Sequence, residues 1–263
     1  MAMERIQAML ESCVTDSPVF PPTLLYNEGW LLRLMMDWFS THRVPDHPPH
    51  FSENARWYSE ALLPSAFLAS HRGDPLAESW THADGVIGHF EIGKEGKTDL
   101  WLPQDGEHLV ILEAKMFAPL SSGVTRAPYF DQAARTVACI AEVLKRVDRH
   151  PSELSHLGFY VLAPRSQVDQ GVFNEGMDRE SIRQKVERRV NDYRDHDEPK
   201  HRRYATWLGD WFEPTLQQID IDVLSWEQSI QTIAEHDSSS AGSIQEFYQQ
   251  CARFGRQSDK MPS

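Results

Sequence analysis

The chain has 263 residues, 26 of them basic and 39 acidic, for a formal net charge of -13. With 40% hydrophobic and 25% charged residues it is composed like a globular protein long enough to bury a core, which excludes a disordered or fibrous class. It has no run of about 18 apolar residues, which argues against a membrane span. The opening MAMERIQAMLESC lacks the apolar core of a secretory signal. Cys13, Cys139 and Cys251, odd in number and far apart, fit a reducing, cytoplasmic setting better than a disulfide framework or a CxxC zinc site.

In chain order, residues 3–13 read as a short helix and the Pro-rich stretch 14–24 as a loop. From Asn27, a plausible N-cap, Leu31, Leu34, Met35 and Trp38 recur at spacings of three and four and predict a helix to Phe39. Residues 53–70 are expected to be helical with a break at Pro64. Val86–Ile92 alternates and predicts a strand, followed by a short strand at Thr98–Leu102. Asp105-Gly106 then signals a hairpin leading into a third strand, Leu109–Lys115, whose apolar start implies burial on both faces. Helical spacing returns over 129–147, with a strand at Leu157–Ala163, helices at 178–194 and 204–218, and a fifth strand at 219–224. Helices at 226–235 and 243–254 are expected to flank a Ser-rich linker at 237–243. The order predicts one α/β domain over 1–263, a central mixed sheet between helices, with a core at about 26–225 and a helical C-terminal extension.

The charge is unevenly spread. Residues 1–115 carry net -9 and 204–263 net -6, whereas 179–203 carry net +3 and 116–203 net +2. The acidic total therefore does not exclude nucleic acid. It predicts weak, salt-sensitive contact through the middle of the chain.

Several motifs fail. Gly93–Thr98 resembles the end of a phosphate loop, but the first glycine of GxxxxGK[ST] would fall at Glu91, and a strand-like segment follows where a helix is needed. The twelve histidines are scattered. His47 and His50 lack a nearby third ligand, and neither HExxH nor GxSxG occurs.

One constellation remains. Glu113 and Lys115, two apart on a strand, share a face, with Ala114 turned away. If the strands around Asp105-Gly106 pair as a hairpin, Asp99 lies beside Glu113. Two carboxylates and an ammonium would then converge, a set that attracts Mg²⁺ and positions water. Sharing one ion requires their functional atoms to lie within about 8 Å of one another, given ligand bonds of roughly 2.0–2.6 Å; beyond that the nuclease reading resting on these three residues is to be dropped.

Asp99 with Glu113-Ala114-Lys115 resembles the PD-(D/E)xK, or restriction-endonuclease-like, nuclease superfamily. Thr98 stands where the proline of the name would be. The resemblance covers roughly 26–165, with the strand at 219–224 a further candidate. It implies a restriction-endonuclease-like fold and a Mg²⁺- or Mn²⁺-dependent deoxyribonuclease. Asp99, Glu113 and the Ala114 carbonyl would be metal ligands, and Lys115 would activate or position water. A helix glutamate preceding the sheet often joins such a site. Glu28 fits by position and shares a helix face with Leu31, Leu32 and Met35. Gln132, on the helix after the lysine strand, would position water or phosphate, although Thr136 stands where one common form has a tyrosine.

DNA would be the partner. Arg126, Arg135 and the 179–203 cluster, with Arg183, Lys185, Arg188 and Arg189, are the candidate backbone contacts. Prokaryotic defence, restriction or repair would suit such a domain, as would a homo-oligomer or a defence-system partner protein. The rival reading is a catalytically silent α/β module that binds protein or nucleic acid within a larger assembly. Hydrolysis of RNA or a nucleotide is a third.

Overall fold

The computed structural model describes residues 1–15, 17–69, 74, 76–94, 96–123 and 127–258. Helix α1 (Ala2–Glu11) precedes α2 (Glu28–His42). The strands β1 (Arg56–Leu63), β2 (Thr81–Gly88), β3 (Glu91–Ile92), β4 (Leu100–Trp101) and β5 (His108–Ala114) follow. Helix α3 (Gln132–Arg146) leads to β6 (His156–Ala163), and α4 (Arg165–Asp169), α5 (Asn174–Met177), α6 (Arg179–Asn191), α7 (Glu198–Trp207) and α8 (Glu213–Gln218) lead to β7 (Asp220–Ser225). The chain then runs through α9 (Trp226–His236) and α10 (Ser238–Ser258). No helix among the described residues is long and apolar enough to cross a membrane.

The central sheet is mixed and five-stranded, in the order β1-β2-β5-β6-β7. β1, β2 and β5 pair antiparallel, while β5-β6 and β6-β7 pair parallel. Parallel neighbours need crossovers, which α3 supplies for the first pair and α4 to α8 for the second. All seven residues of β5 are buried, as expected of a central strand covered on both faces. Alternation then divides its side chains. Leu109 and Ile111 enter a core shared with Val137, Leu144 and Phe159, whereas Val110 and Leu112 enter one shared with Leu31, Met35 and Trp226.

Helix α2 starts where expected. The Asn27 side chain accepts a hydrogen bond from the Trp30 N–H at 3.0 Å, satisfying one of the orphan donors of the first turn. The helix lies close on β2 because Gly85 has no side chain: a Cβ there would stand 2.9 Å from Met36 Sδ.

Three expectations are corrected. Residues 56–63 form a strand rather than part of a helix, with seven residue pairs to β2. Glu60-Ala61-Leu62-Leu63 favours a helix locally, but ladder pairing with β2 and burial of Ala61 and Leu63 override that weak preference. The Asp105-Gly106 turn does not join paired strands: β4 pairs with β3, and β5 pairs with β2. The Ser-rich stretch at 237–243 is largely helix. Asp237 Oδ1 accepts from the Ser240 N–H at 3.1 Å and α10 begins at Ser238.

Arg189 is fully buried on α6. Its Nε donates to Glu78 Oε1 at 3.2 Å, its Nη2 donates to the Leu76 carbonyl, and its guanidinium lies 5.1 Å from the Phe67 ring centre. Burial pushes the Glu78 carboxyl up, and Arg189 partly offsets this. Removing one partner of such a pair strands the other in the core. Arg189→Met should therefore lower the unfolding free energy by about 3–5 kcal/mol, read by urea denaturation at neutral pH. Adding Glu78→Gln should restore part of the loss; a single-variant loss below about 1 kcal/mol would contradict this role.

Candidate active site

The antiparallel ladder between β2 and β5 ends abruptly. Pairing runs from Gly88↔Leu109 to Gly85↔Leu112, and the next residues in that register are Asp84 and Glu113. His89 N–H donates to the His108 carbonyl, which sets the alternation of the ladder. On that phase Asp84 and Glu113 form a non-hydrogen-bonded pair, whose side chains stand closest. The following pair would bond Ala114 to Ala83. Instead the Ala114 N–H donates to Asp84 Oδ2 at 2.8 Å. Ala83 still pairs with Ala61 of β1. The two strands have parted, and the Asp84 carboxylate fills the gap.

The other edge of β5 stays in place. Lys115 N–H donates to the Leu162 carbonyl at 2.8 Å. Pro164, which has no N–H, stands where β6 would bond the Lys115 carbonyl. That carbonyl accepts from the Trp226 indole Nε1 at 2.8 Å instead. The backbone carrying Glu113-Ala114-Lys115 is therefore held on one side while the other opens into a cleft.

That cleft, about 360 Å³, is lined by Glu28, Arg33, Glu60, Asp84, Glu113 and Lys115, with Asn27, Gly29 and Ala114. Lys115 Nζ donates to Glu113 Oε1 at 2.7 Å. The Glu113 side chain is only 5% exposed. Burial, then the neighbouring Asp84 carboxylate, pushes its pKa up to about 8, against the opposing pull of Lys115. The Asp84 carboxylate acts on Glu113 both as a neighbouring charge and as a hydrogen-bond partner, and both raise the Glu113 pKa. At the rim, Arg33 Nε donates to Ser59 Oγ at 2.8 Å and Arg33 Nη2 contacts Glu60 Oε1 at 3.2 Å. Glu60 has φ +61°, an uncommon conformation for a residue with a side chain, in the register position of β1 opposite Asp84.

The expected site residues divide. Glu28, Glu113, Ala114 and Lys115 come together around the cleft, but Asp99 does not join them. It lies beside Leu62 on the outer edge of β1, three strand spacings from β5, or about 14 Å. This is too far to share an ion with Glu113. Its Oδ1 accepts from the Gly96 N–H at 2.6 Å and its carbonyl accepts from Gly93, so it closes the β3–β4 turn. Asp84 takes the place expected of Asp99.

Gln132 opens α3 away from the cleft, its Oε1 accepting from Ser121 N–H at 3.1 Å and Ser121 Oγ at 3.2 Å. It ties down the preceding loop. The basic cluster is also engaged elsewhere. Arg189 is in the core, Lys185 Nζ pairs with Asp131 Oδ2 at 2.7 Å, and Arg183 pairs with Glu213 and Glu180. Arg188 lies 3.8 Å over the Tyr129 ring, in a cleft that also holds Glu187, Asp192 and Asp195. Arg135 is half-buried with its Nε unpartnered and its charge beside Glu78. Arg126 lies outside the described residues. The expected basic surface is therefore largely neutralised by the fold.

The donor set suits a hard divalent cation: two carboxylates and the Ala114 carbonyl, released from the β2 ladder, are oxygen ligands. A cation would also offset the repulsion between Asp84 and Glu113, which Lys115 offsets only in part. Among the described residues no group of three or more His, Cys, Asp or Glu side chains is placed so that it could hold a metal ion as it stands. Comparison with known proteins adds no relative, since no family model, curated protein or solved structure matches the chain.

Glu113 supplies a pH test. Its folded pKa lies above the ordinary value of 4.5, so the folded chain binds more protons than the unfolded chain between about 4.5 and about 8. The stability this group contributes is present below that window and is lost as pH rises through it. In cation-free buffer the Glu113 carboxyl carbon should titrate near 8 by NMR. Asp84→Asn should lower the midpoint, and so should saturating Mg²⁺. A midpoint near 4.5, unmoved by either change, would contradict the geometry.

Proposed function

We propose that the chain is a divalent-metal-dependent deoxyribonuclease of the PD-(D/E)xK, restriction-endonuclease-like type, with Asp84 as the motif aspartate and Glu113-Ala114-Lys115 as its (D/E)-x-K. One observation carries the reading: the Asp84 and Glu113 carboxylates meet where β2 and β5 part, with Lys115 2.7 Å from Glu113. The element order supports it. A helix bearing Glu28, antiparallel strands, the ExK strand, a crossover helix and a parallel strand follow one another as the resemblance implies.

Asp84, Glu113 and the Ala114 carbonyl would hold Mg²⁺ or Mn²⁺, with Glu28 at the mouth completing the set. Such an ion supplies an acidified water and charge neutralisation at a phosphoryl oxygen. Lys115, hydrogen-bonded to Glu113, would orient a water or steady the charge that builds on the phosphate. Burial of Glu113 makes an uncompensated charge there costly, so the site favours its carboxylate form when a cation is present. Arg33 stands at the rim as the guanidinium nearest an entering phosphate, and its bonds to Ser59 and Glu60 fix its direction. With much of the 179–203 segment paired internally, DNA contact would rest on few cations and weaken steeply with salt.

The test is cleavage of single-stranded, double-stranded and RNA substrates with Mg²⁺ or Mn²⁺. Asp84→Asn, Glu113→Gln and Lys115→Ala should each lower the rate by about 10²–10³-fold or more. Asp99→Asn should stay within a few-fold of wild type while lowering thermal stability. Equal loss in Asp99→Asn and Asp84→Asn would overturn the assignment of the aspartate. A wild-type chain that leaves every DNA substrate intact would overturn the deoxyribonuclease reading and leave the silent binding module, or RNA cleavage where RNA alone is cut.

A further inference from the structure

At the other end of the same two strands lies a second cluster. His108 begins β5 and His156 begins β6, and the two are register partners in the parallel pair. His50 comes from the loop between α2 and β1. The three rings are mutual neighbours, with centres 5.3 Å apart for His50 and His108, 4.6 Å for His50 and His156, and 4.8 Å for His108 and His156. His108 is fully buried, and neither of its ring nitrogens has a hydrogen-bond partner. Buried polar groups are nearly always satisfied, and leaving one unsatisfied is costly. Two nitrogens on one completely buried ring call for an occupant.

We infer that His50, His108 and His156 form a binding site for a borderline transition-metal ion of the Zn²⁺ class. Three imidazoles bound to one tetrahedral ion through bonds of about 2.0–2.1 Å hold their ring centres about 5 Å from one another, and the three observed spacings bracket that value. His156 is set up for ligation from its outer side. Its Nδ1 lies 4.0 Å from Asp220 Oδ2, close enough for attraction but not for a hydrogen bond, its buried Nε2 has no hydrogen-bond partner among the side-chain contacts, and the Pro48 carbonyl acts on the ring as a backbone acceptor. A carboxylate behind a ligating histidine is the usual second support of such sites.

His89, 6.1 Å from His108, is excluded as a ligand. Its Nε2 is hydrogen-bonded to the Glu53 carbonyl and its Nδ1 accepts from the Glu107 N–H. The rings are inclined at 76°, 49° and 56° to one another, and as the side chains lie no group of three His, Cys, Asp or Glu among the described residues could hold an ion. Binding therefore requires a ring to turn, and His50, partly exposed on a loop, is the ring to which we assign that movement. Three nitrogen ligands favour Zn²⁺, Co²⁺, Ni²⁺ or Cu²⁺ over Mg²⁺, which separates this site chemically from the all-oxygen cleft. The inference does not depend on the nuclease reading.

The experiment uses the full chain, stripped with a chelator and titrated with Co²⁺ and with Zn²⁺. One equivalent should be retained through desalting, with visible Co²⁺ absorption of tetrahedral type. His50→Ala, at a half-exposed position, should lower Zn²⁺ affinity by about 10²-fold or more, and Asp220→Asn by roughly 10-fold. His89→Gln should change it little. The double variant Asp84→Asn, Glu113→Gln should keep the ion. Failure to retain Zn²⁺ and Co²⁺ overturns the site. So does a folded His50→Ala chain, verified by its thermal melt, that binds Zn²⁺ as wild type does. Loss of the ion in the carboxylate double variant alone would reassign it to the cleft.

Discussion

Two strands that pair closely for several residues part where a carboxylate takes over the last hydrogen bond. The Ala114 N–H, which the ladder would give to Ala83, goes to Asp84 Oδ2, and the rest of the cleft follows from that exchange. It separates β2 from β5, frees the Ala114 carbonyl, and leaves Asp84 facing a buried Glu113 across the closest type of cross-strand pair. The arrangement is costly, since burial and the facing Asp84 carboxylate both oppose charge on Glu113 and Lys115 offsets this only in part. The surrounding fold holds it in place. Gly85 lets α2 approach β2, bringing Glu28 to the cleft. Trp226 takes the carbonyl that Pro164 cannot serve, holding the backbone of Lys115 from the far edge.

The distribution of charge has the same cause as the distribution of structure. The second crossover, from β6 to β7, carries ten of the 26 basic residues and packs over one face of the sheet. Its cations meet carboxylates that other elements present to it: Glu78 for Arg189, Asp131 for Lys185, Asp74 for Lys200. A net positive segment in the sequence therefore becomes a set of internal pairs rather than a basic stripe. Asp131 illustrates the economy, since it both caps α3 through the Ala134 N–H and receives Lys185. On the proposed reading, recognition of a polyanion would fall on local groups near the cleft, Arg33 and Lys115 among them, rather than on a long-range field.

What the sequence made legible was whatever a single segment determines. The run Leu109–Leu112 marks a doubly covered strand, and Glu113 and Lys115 share a face by alternation alone. Asn27 caps α2 and Asp131 caps α3 by local rules. The aspartate was missed because it depends on pairing. Neighbouring strands in sequence usually pair in space, which favoured Asp99 across the Asp105-Gly106 turn. The β3–β4 excursion is inserted between β2 and β5, so the true partner lies one long strand earlier, in Thr-His-Ala-Asp-Gly-Val. That segment begins with polar residues and hides its strand character until Val86. Residues 56–63 were lost for the opposite reason: their composition suits a helix, and only the ladder with β2 decides otherwise. Arg189 read as a surface charge because nothing near it in sequence announces Glu78.

The histidines show the same limit more sharply. His50, His108 and His156 belong to a loop and two strand starts, and no spacing rule links them, because a parallel pair with a helical crossover places its two strand starts side by side in space however long the connection between them. That topology gives β5 and β6 two distinct ends. At their C-terminal ends the strands present oxygen donors, at their N-terminal ends imidazoles. Five steps along β5, about 17 Å at roughly 3.3 Å each, separate His108 from Glu113. An ion at one end cannot act directly on chemistry at the other. A metal among the imidazoles would instead fix the starts of the two strands whose far ends carry Glu113, Lys115 and the Leu162 carbonyl that holds them. Its contribution would then lie in how rigidly the cleft is presented rather than in the reaction within it.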